Sequence, residues 1–306
     1  MEFGPHLLLA TIEGAVTAAV LALTALGLSL VFGVMRVVNV AHGEFFMLGA
    51  VIAWFVAGSI AGHPAIGFVG ALLIAPPVAA VLAIAIDKLV LRRVDYDPEA
   101  TIVATIGLLY IMQQTALMTF GPEARPVDPP FNERIALPWY DFEASEWFYP
   151  WGLSVTSYKL FVIAAAVVIL IAFWLLLTRS KIGLVMRATQ LDRETAQAFG
   201  IPVGRVYNLV IGLGAALAAL AAVLIVPIQQ AHYLMGEDPL LLSFIVVIIG
   251  GLGSIRGTVV AALLIGLSDG IISVFFSPTL AKIIATLLVA LVLVFRPQGL
   301  FGKKAA

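Results

Sequence analysis

The 306-residue chain contains no cysteine and few charged residues. Without cysteine it can form no disulfide, thiolate nucleophile or cysteine-ligated zinc site, and the redox compartment stays open. Charged residues make up 11% of the chain and hydrophobic residues 62%, with a mean hydropathy of +1.09. Soluble proteins carry roughly 25% charged and roughly 45–50% apolar residues. Too few charges remain to cover a water-soluble globule, so most of the chain must face lipid.

Several signatures of catalysis and nucleotide binding are also absent. The sequence has no G-x-x-x-x-G-K-[ST] phosphate loop, no H-E-x-x-H zinc motif and no serine nucleophile elbow. The net charge is −1, and no basic run is longer than a pair, so nothing draws the chain to nucleic acid. The four histidines are scattered along the chain. We therefore expect no catalytic residue, no bound metal, no cofactor and no nucleic-acid partner.

Long apolar stretches dominate what remains. A transmembrane helix needs about 20 mostly apolar residues. Seven stretches reach or approach this length: 7–32, 64–91, 101–120, 158–177, 206–226, 258–276 and 279–295. Two more, 45–60 and 240–253, are shorter or interrupted. Unbroken runs indicate helices rather than the alternating strands of a barrel. The sequence predicts one all-α domain over 1–306, a polytopic transmembrane bundle of about nine spans (8–10), with no internal repeat.

The few basic residues indicate an orientation. When nine spans are threaded, 13 of the 17 Lys and Arg residues fall on one side. The other side keeps Arg125, Arg134, Lys159 and Lys282, which acidic residues outnumber there. The positive-inside rule then places the C-terminus in the cytoplasm and the N-terminus outside. The expected location is a bacterial or archaeal plasma (inner) membrane. The outer connection 121–157, rich in Trp, Tyr and Pro, is either an interfacial aromatic belt or a docking surface for a soluble partner.

The cytoplasmic segment 178–205 has the pattern of one short amphipathic helix. Apolar or small residues recur at helical spacing on one face, and Gly200 followed by Pro202 ends the helix. The apolar face comprises Leu184, Ala188, Leu191, Thr195 and Ala198; the polar face comprises Arg187, Gln190, Arg193, Glu194 and Gln197. Such a helix can lie in the lipid interface. A polar face that mixes Glu with Arg and Gln favours a protein partner instead.

Polar residues interrupt the apolar stretches at a few places. Asn39, His42 and Glu44 separate the first two spans, and two interpretations stay open: they cap the second helix, where Glu44 meets the positive end of the dipole, or they line a pathway. Glu13, Gln113, Gln114 and Asp269 are expected to form interhelical hydrogen bonds. Asp87, beside Lys88 and Arg92, is expected to be solvated.

Four strings of the sequence together resemble a known family. They are 25–50 (ALGLSLVFGVMRVVNVAHGEFFMLGA), Thr105-Ile106-Gly107-Leu108 with Gln113, the segment containing Arg187-Ala188, Asp192-Arg193-Glu194 and Ala198-Phe199-Gly200-Ile201, and 250–257 (GGLGSIRG). In this order they resemble the LivH-type permease subunit of the branched-chain amino-acid ABC transporter family. The third string is similar to the EAA loop by which importer permeases hold their ATPases. The chain departs from the family at Glu13, where Asn is common, and at Leu21, where Tyr is usual.

The resemblance implies a permease subunit that forms half of a translocation path for branched-chain amino acids. It implies a second homologous permease (a heterodimer, or alternatively a homodimer), two ATP-binding subunits that use ATP and magnesium, a soluble substrate-binding protein and membrane lipid as partners. The residues it assigns to ATPase coupling are Arg187, Gln190, Asp192, Arg193, Glu194, Gln197 and Gly200. Those it assigns to the path are Asn39, His42, Glu44, Thr105 and Gln113.

Two alternatives remain at this point. Importers of the same class also serve urea, amides or aromatic acids. An ion-gradient-driven secondary transporter would require a charged cluster near the middle of the membrane, for which Glu13 and Asp269 are the candidates.

Overall fold

The computed structural model describes residues 3–60, 62–141, 146–148, 154–296 and 299–301, and these residues form a predominantly helical fold, as predicted. The longer helices are α1 (Phe3–Met35), α2 (His42–Ser59), α3 (Pro64–Leu89), α4 (Pro98–Phe120), α5 (Ser157–Arg179), α8 (Val203–Gln229), α9 (Glu237–Gly250), α10 (Ile255–Phe275) and α11 (Pro278–Phe295). Two short ones, α6 (Lys181–Leu191) and α7 (Arg193–Ala198), lie between α5 and α8, and a 3-10 turn at Leu91–Val94 follows α3.

Eight described helices are long and apolar enough to cross a membrane. They coincide with eight of the nine predicted stretches. The exception is α9, whose 14 residues extend about 21 Å, against a hydrocarbon core of about 30 Å. The sequence predicts about nine spans, and α9 is the element that does not reach full length.

The helix boundaries follow from local chemistry. Asp97 accepts a hydrogen bond from the backbone of Ala100, and Pro98 occupies the first helical position of α4. Serine side chains cap α6, α10 and α11 in the same way, at Ser180, Ser254 and Ser277. These side chains satisfy amide groups that the first turn of a helix leaves unpaired.

Two helices, α1 and α8, form the centre of the bundle and are the most deeply buried spans. They cross at Gly27 and Gly214, where a Cβ atom on Gly214 would lie 2.9 Å from the carbonyl oxygen of Gly27. Because lipid is as apolar as the helix surfaces, association in a membrane depends on close van der Waals contact, which small residues permit. The two glycines therefore set the distance between the central helices.

The first three helices and α8–α10 are packed as an inverted pair. α1 lies antiparallel to α10, with Thr258 bonded to Ser29, and α8 lies antiparallel to α3, with Arg92 bonded to Gly204. α2 and α9 begin side by side, where Gly43 and Gly236 approach each other closely. That the chain has no internal sequence repeat stays a prediction. The two units share little more than Gly-Glu at the start of α2 and α9, because helix packing requires small residues rather than a fixed sequence.

The connection 121–157 contains short strands that the sequence did not predict. β1 (Arg134–Ala136) pairs antiparallel with β4 (Ser154–Thr156), and β2 (Trp139–Asp141) pairs with β3 (Glu146–Phe148). Arg125 pairs with Ala231, which attaches the connection to the end of α8. The aromatic residues Tyr149 and Trp151 lie outside the described residues, as do Lys303 and Lys304.

The ends of the bundle differ in charge. We call the end that carries Arg36, Arg92, Arg193 and Arg205 the basic face, because these side chains line two neighbouring grooves there. We call the opposite end, with the connection 121–157, the acidic face. That the basic face lies in the cytoplasm remains a prediction.

Candidate functional site

The polar interruption 39–44 is a reversal of the chain inside the bundle. Arg36 ends α1 with a positive φ of 59°, and the chain turns back so that α2 begins beside the middle of α1. There the ring nitrogen Nε2 of His42 lies 3.0 Å from the carbonyl oxygen of Thr24. The side-chain oxygen of Asn39 accepts a hydrogen bond from the amide of Ala41 at 3.1 Å. Asn39 thus pairs an amide that the turn would otherwise leave without a partner, and His42 joins the start of α2 to α1.

Two side chains of α4 complete this region. The hydroxyl of Thr105 accepts from the amide of Val40 at 3.2 Å. The amide of Gln113 donates to Glu44 Oε1 at 3.0 Å and to Glu237 Oε1 at 3.3 Å. The structure therefore brings together all five residues that the resemblance assigns to the path: Asn39, His42, Glu44, Thr105 and Gln113. Each is at most 7% exposed.

Glu237 is a member of this group that the sequence interpretation missed. It is exposed, whereas Glu44 is buried and its second oxygen has no hydrogen-bond partner among the described residues. Both carboxylates lie in the first turn of a helix, where the dipole stabilises negative charge. The repeated Gly-Glu pair, at Gly43-Glu44 and Gly236-Glu237, is the signal that could have identified it. The group links the buried start of α2 to a surface at the start of α9.

The segment 178–205 forms two helices rather than the single helix predicted. Asp192 ends α6 and caps α7: its Oδ1 accepts from the amides of Glu194 at 2.9 Å and Thr195 at 3.1 Å. The Thr195 hydroxyl donates to Oδ2 at 2.5 Å and holds the pKa of this carboxyl below its ordinary value. An Asp side chain that accepts hydrogen bonds from nearby amides competes with the backbone hydrogen bonds of a continuous helix. At Asp192 the helix is interrupted.

The face that this segment turns to the bundle is not the apolar face given by the helical spacing. Gly183, Met186, Thr189 and Ala196 face the bundle, while Leu184, Leu191 and Phe199 are 60%, 72% and 82% exposed. Gly183 packs so closely on the backbone of Leu177 that a Cβ atom would overlap it. The close contact at Gly183 therefore fixes which side of α6 faces the bundle, and Met186 is buried on that side. Leu184 and Leu191 are turned outward.

The residues assigned to ATPase coupling divide into two groups. Gln190 is half-buried, and its amide donates to the carbonyl of Gly253 at 3.2 Å. The others are exposed: Arg187, Asp192, Arg193, Glu194, Gln197 and Gly200. Gly200 has a φ of 83° and no atom near its Cβ position, so it ends α7 in a conformation that favours glycine. We call the three exposed side chains Leu184, Leu191 and Phe199 the apolar patch.

A polar cluster lies next to this segment, between the end of α3 and the start of α8. Arg92 donates to the Gly204 carbonyl at 2.9 Å and to Asn208 Oδ1 at 2.8 Å, and its Nε lies 3.5 Å from Asp87. Asp87 is fully buried, which corrects the expectation that it is solvated. The spacing from Lys88 and Arg92 indicated a surface, but the chain turns after α3 and covers the carboxylate.

Aromatic contacts connect the same cluster to α7. The rings of Tyr96 and Tyr207 meet edge to face at 4.9 Å, and the Arg193 guanidinium lies 5.5 Å from the Tyr207 ring centroid. Burial raises the pKa of Tyr96 to about 12. Its phenol is therefore neutral and donates to Asp87 at 3.4 Å. Within the described part of the chain, no three His, Asp or Glu side chains are placed to hold a metal ion.

Taken together, the eight apolar helices, the buried polar group and the exposed segment define a polytopic helical membrane protein. The chain belongs to the family described as branched-chain amino acid transport system / permease component, whose model matches residues 10–293.

Curated relatives cover nearly the whole chain. It is 25% identical over 311 residues to the high-affinity branched-chain amino acid transport system permease protein BraD of Pseudomonas aeruginosa, covering 97% of this chain and 96% of the relative. It is also 25% identical to the permease protein LivH of Escherichia coli K12 (95% and 94% covered) and to a probable LivH of Methanocaldococcus jannaschii (95% and 91%). No solved structure matches the chain.

Proposed function

We propose that this chain is a permease subunit of an ABC importer that carries branched-chain amino acids and is driven by separate ATPase subunits. The observation that carries the proposal is the apolar patch. Three large apolar side chains more than half exposed on the basic face, among exposed Arg, Glu and Gln, are typical of a surface that a protein partner covers. The printed names of the relatives support the substrate class.

The connections of the segment explain how a partner could move the spans. Ser180 alone separates α5 from α6, so a displaced α6 pulls directly on α5. α7 leads through Gly200 and Pro202 into the central helix α8. Gln190 reaches Gly253 between α9 and α10. A force applied to the apolar patch is thus transmitted to α5, to α8 and to the junction between α9 and α10.

The importer then works by a difference in contacts. ATP binding favours one state of the bundle only if the ATPases contact the patch and Arg187, Glu194 and Gln197 differently in the two states. The partners are two ATPase subunits on the basic face, a soluble binding protein on the acidic face, a second similar permease and lipid. The five buried residues around the start of α2 become part of the path when the bundle opens.

The apolar patch can be tested by substitution. Leu191→Ser and Phe199→Ser each remove a contact worth about 1.5–3 kcal/mol, so we expect binding of co-expressed ATPase subunits to weaken by about tenfold to a hundredfold or to be lost. Leu252→Ser, which changes another exposed leucine of the same face, is the control and should bind normally. Co-purification stoichiometry and ATP-driven leucine uptake in proteoliposomes are measured together.

Other outcomes show which part of the proposal is incorrect: the docking surface, the importer class or the substrate. Unchanged ATPase binding and uptake in Leu191→Ser, Phe199→Ser and the charge reversal Glu194→Lys would contradict the docking assignment. Leucine uptake by this chain alone, without ATP, would contradict the importer itself and favour the ion-driven class. Uptake of urea, amides or aromatic acids in place of leucine would contradict the substrate only.

A further inference from the structure

A cavity of about 220 Å³ lies between α1, α2, α8, α9, α10 and α11. Part of its wall is apolar, formed by Val20, Leu21, Phe46, Ile225 and Leu242. It reaches Pro278, the first residue of α11, close to the acidic face. The cavity is distinct from the buried group around Glu44, and no role assigned above uses it.

Charged groups of both signs lie at one part of this cavity. Lys282 of α11 pairs with Asp238 of α9, with 2.7 Å between Nζ and Oδ2. Asp269 of α10 also lines the cavity and interacts electrostatically with Lys282. Both members of the ion pair are accessible: the Lys282 side chain is 44% exposed and that of Asp238 65%. One ammonium and two carboxylates therefore stand beside an apolar wall.

We propose that this cavity binds the transported amino acid as a zwitterion. The carboxylate of the substrate pairs with Lys282, its ammonium group pairs with Asp269, and its aliphatic side chain lies against Val20, Leu21 and Ile225. Asp238 holds the Lys282 side chain in position. The inference rests on the proposed function and adds the site at which the amino acid is recognised.

The chemistry of the site favours this ligand over the alternatives of the same importer class. Urea and neutral amides carry no charge for Lys282 or Asp269, and binding them would leave both groups less well paired than an amino acid would. An acid without an amine leaves Asp269 without a partner. A site built to pair a charged group rejects an analogue that lacks it more strongly than an apolar wall rejects a change in size.

The absence of native cysteine provides a direct test. Ser273→Cys places a thiol in the wall of the cavity, and Glu123→Cys places one at an exposed site outside it on the acidic face. In the complete importer, with modification of this chain followed by mass spectrometry, we expect leucine to slow the reaction of Ser273→Cys with a small water-soluble thiol reagent at least fivefold. Leucine should not affect Glu123→Cys. Urea and isoamylamine should protect neither.

A pair of lysine variants provides the second measurement. Lys282→Met should abolish leucine protection and reduce ATP-driven leucine uptake at least tenfold, whereas Lys282→Arg should retain part of both. Lys159→Met is the matched control, because Lys159 also pairs with an acid, Glu13, near the acidic face but outside the cavity. It should leave protection and uptake close to those of the unaltered chain.

The results separate this proposal from the proposed function. If the unaltered importer takes up leucine but Ser273→Cys is unreactive or unprotected, or if Lys282→Met transports normally, the cavity is not the amino-acid site and the importer assignment stands. Equal protection by urea or isoamylamine also overturns the inference. If the importer shows no ATP-driven leucine uptake at all, the proposed function fails first.

Discussion

The side-chain amide of Gln113 lies 3.0 Å from Oε1 of Glu44, and this hydrogen bond joins α4 to the first turn of α2. The same amide reaches Glu237 at the start of α9. α4 is otherwise loosely packed, with most of its surface exposed. The side chain of Gln113 and the bond from the Val40 amide to Thr105 therefore connect this peripheral helix to the inverted pair.

Replacement of Gln113 by Ala should destabilise the protein by about 1–3 kcal/mol, because the buried carboxyl of Glu44 loses its donor. Gln114→Ala changes the neighbouring amide, which is exposed, and should stay within about 0.5 kcal/mol. Thermal unfolding of both variants in one detergent measures the difference. Equal Tm values would show that the bridge contributes nothing to stability.

Gly236→Ala should destabilise the bundle by about 1–3 kcal/mol or prevent its assembly, since the added methyl group would overlap the carbonyl of Gly43 where α2 and α9 meet. Gly107→Ala is the control: no atom lies within 4 Å of its Cβ position, and Ala favours the helix. Yield and Tm of the purified variants give the comparison. A stable Gly236→Ala variant would argue against the close approach of the two helix starts.

Arg92→Ala should cost about 1–3 kcal/mol, because it removes bonds to Gly204 and Asn208 and leaves the buried Asp87 without its cation. Arg93→Ala, at the adjacent exposed position, should have little effect. If the unpaired charge is the cause, the double variant with Asp87→Asn should recover part of the loss. Failure of that rescue would assign the effect to the contacts with α8 instead.

Asp192→Ala should loosen α7, because the cap is lost, and the amides of Glu194 and Thr195 should exchange hydrogen several-fold faster. The pKa of Asp192 is lowered in the folded chain, so the stability it provides is present above the ordinary Asp pKa and is lost as the pH falls through the lowered value. The exchange rates of these amides in the variant and in the unaltered chain should therefore converge as the pH falls through this acidic range. Glu194→Ala, without a capping role, is the control.

Single cysteines test the orientation, since the described chain has no thiol of its own. In right-side-out vesicles, a membrane-impermeant reagent should modify Glu123→Cys and leave Arg187→Cys unmodified until the membrane is opened. This follows from the excess of basic residues on the face that carries Arg187. The reverse pattern would invert the proposed positions of the ATPases and the binding protein.

Prediction from the sequence succeeded for features that depend on the residues of one helix alone. The apolar length of most spans and the polar interruption at Asn39–Glu44 are local features, and the structure has them. It was wrong for 178–205, where the spacing predicted one helix: Asp192 divides the segment into two, and Leu184 and Leu191 are turned away from the bundle. Spacing shows which residues share a face, but not which face the neighbours can accept.

The scarcity of charge and the long apolar runs by themselves determined that this protein is a helical bundle in lipid, because in hydrocarbon a backbone must bond to itself and few charges can be placed there. The tertiary structure alone decided the inverted pairing of α1–α3 with α8–α10, the burial of Asp87, the meeting of Glu44 with Glu237 and the pairing of Asp238 with Lys282. Each joins residues far apart in the chain. The distance between such residues depends on how closely the helix backbones approach each other. Small residues such as Gly27, Gly43 and Gly214 set that approach, and they act in pairs whose two members come from different segments.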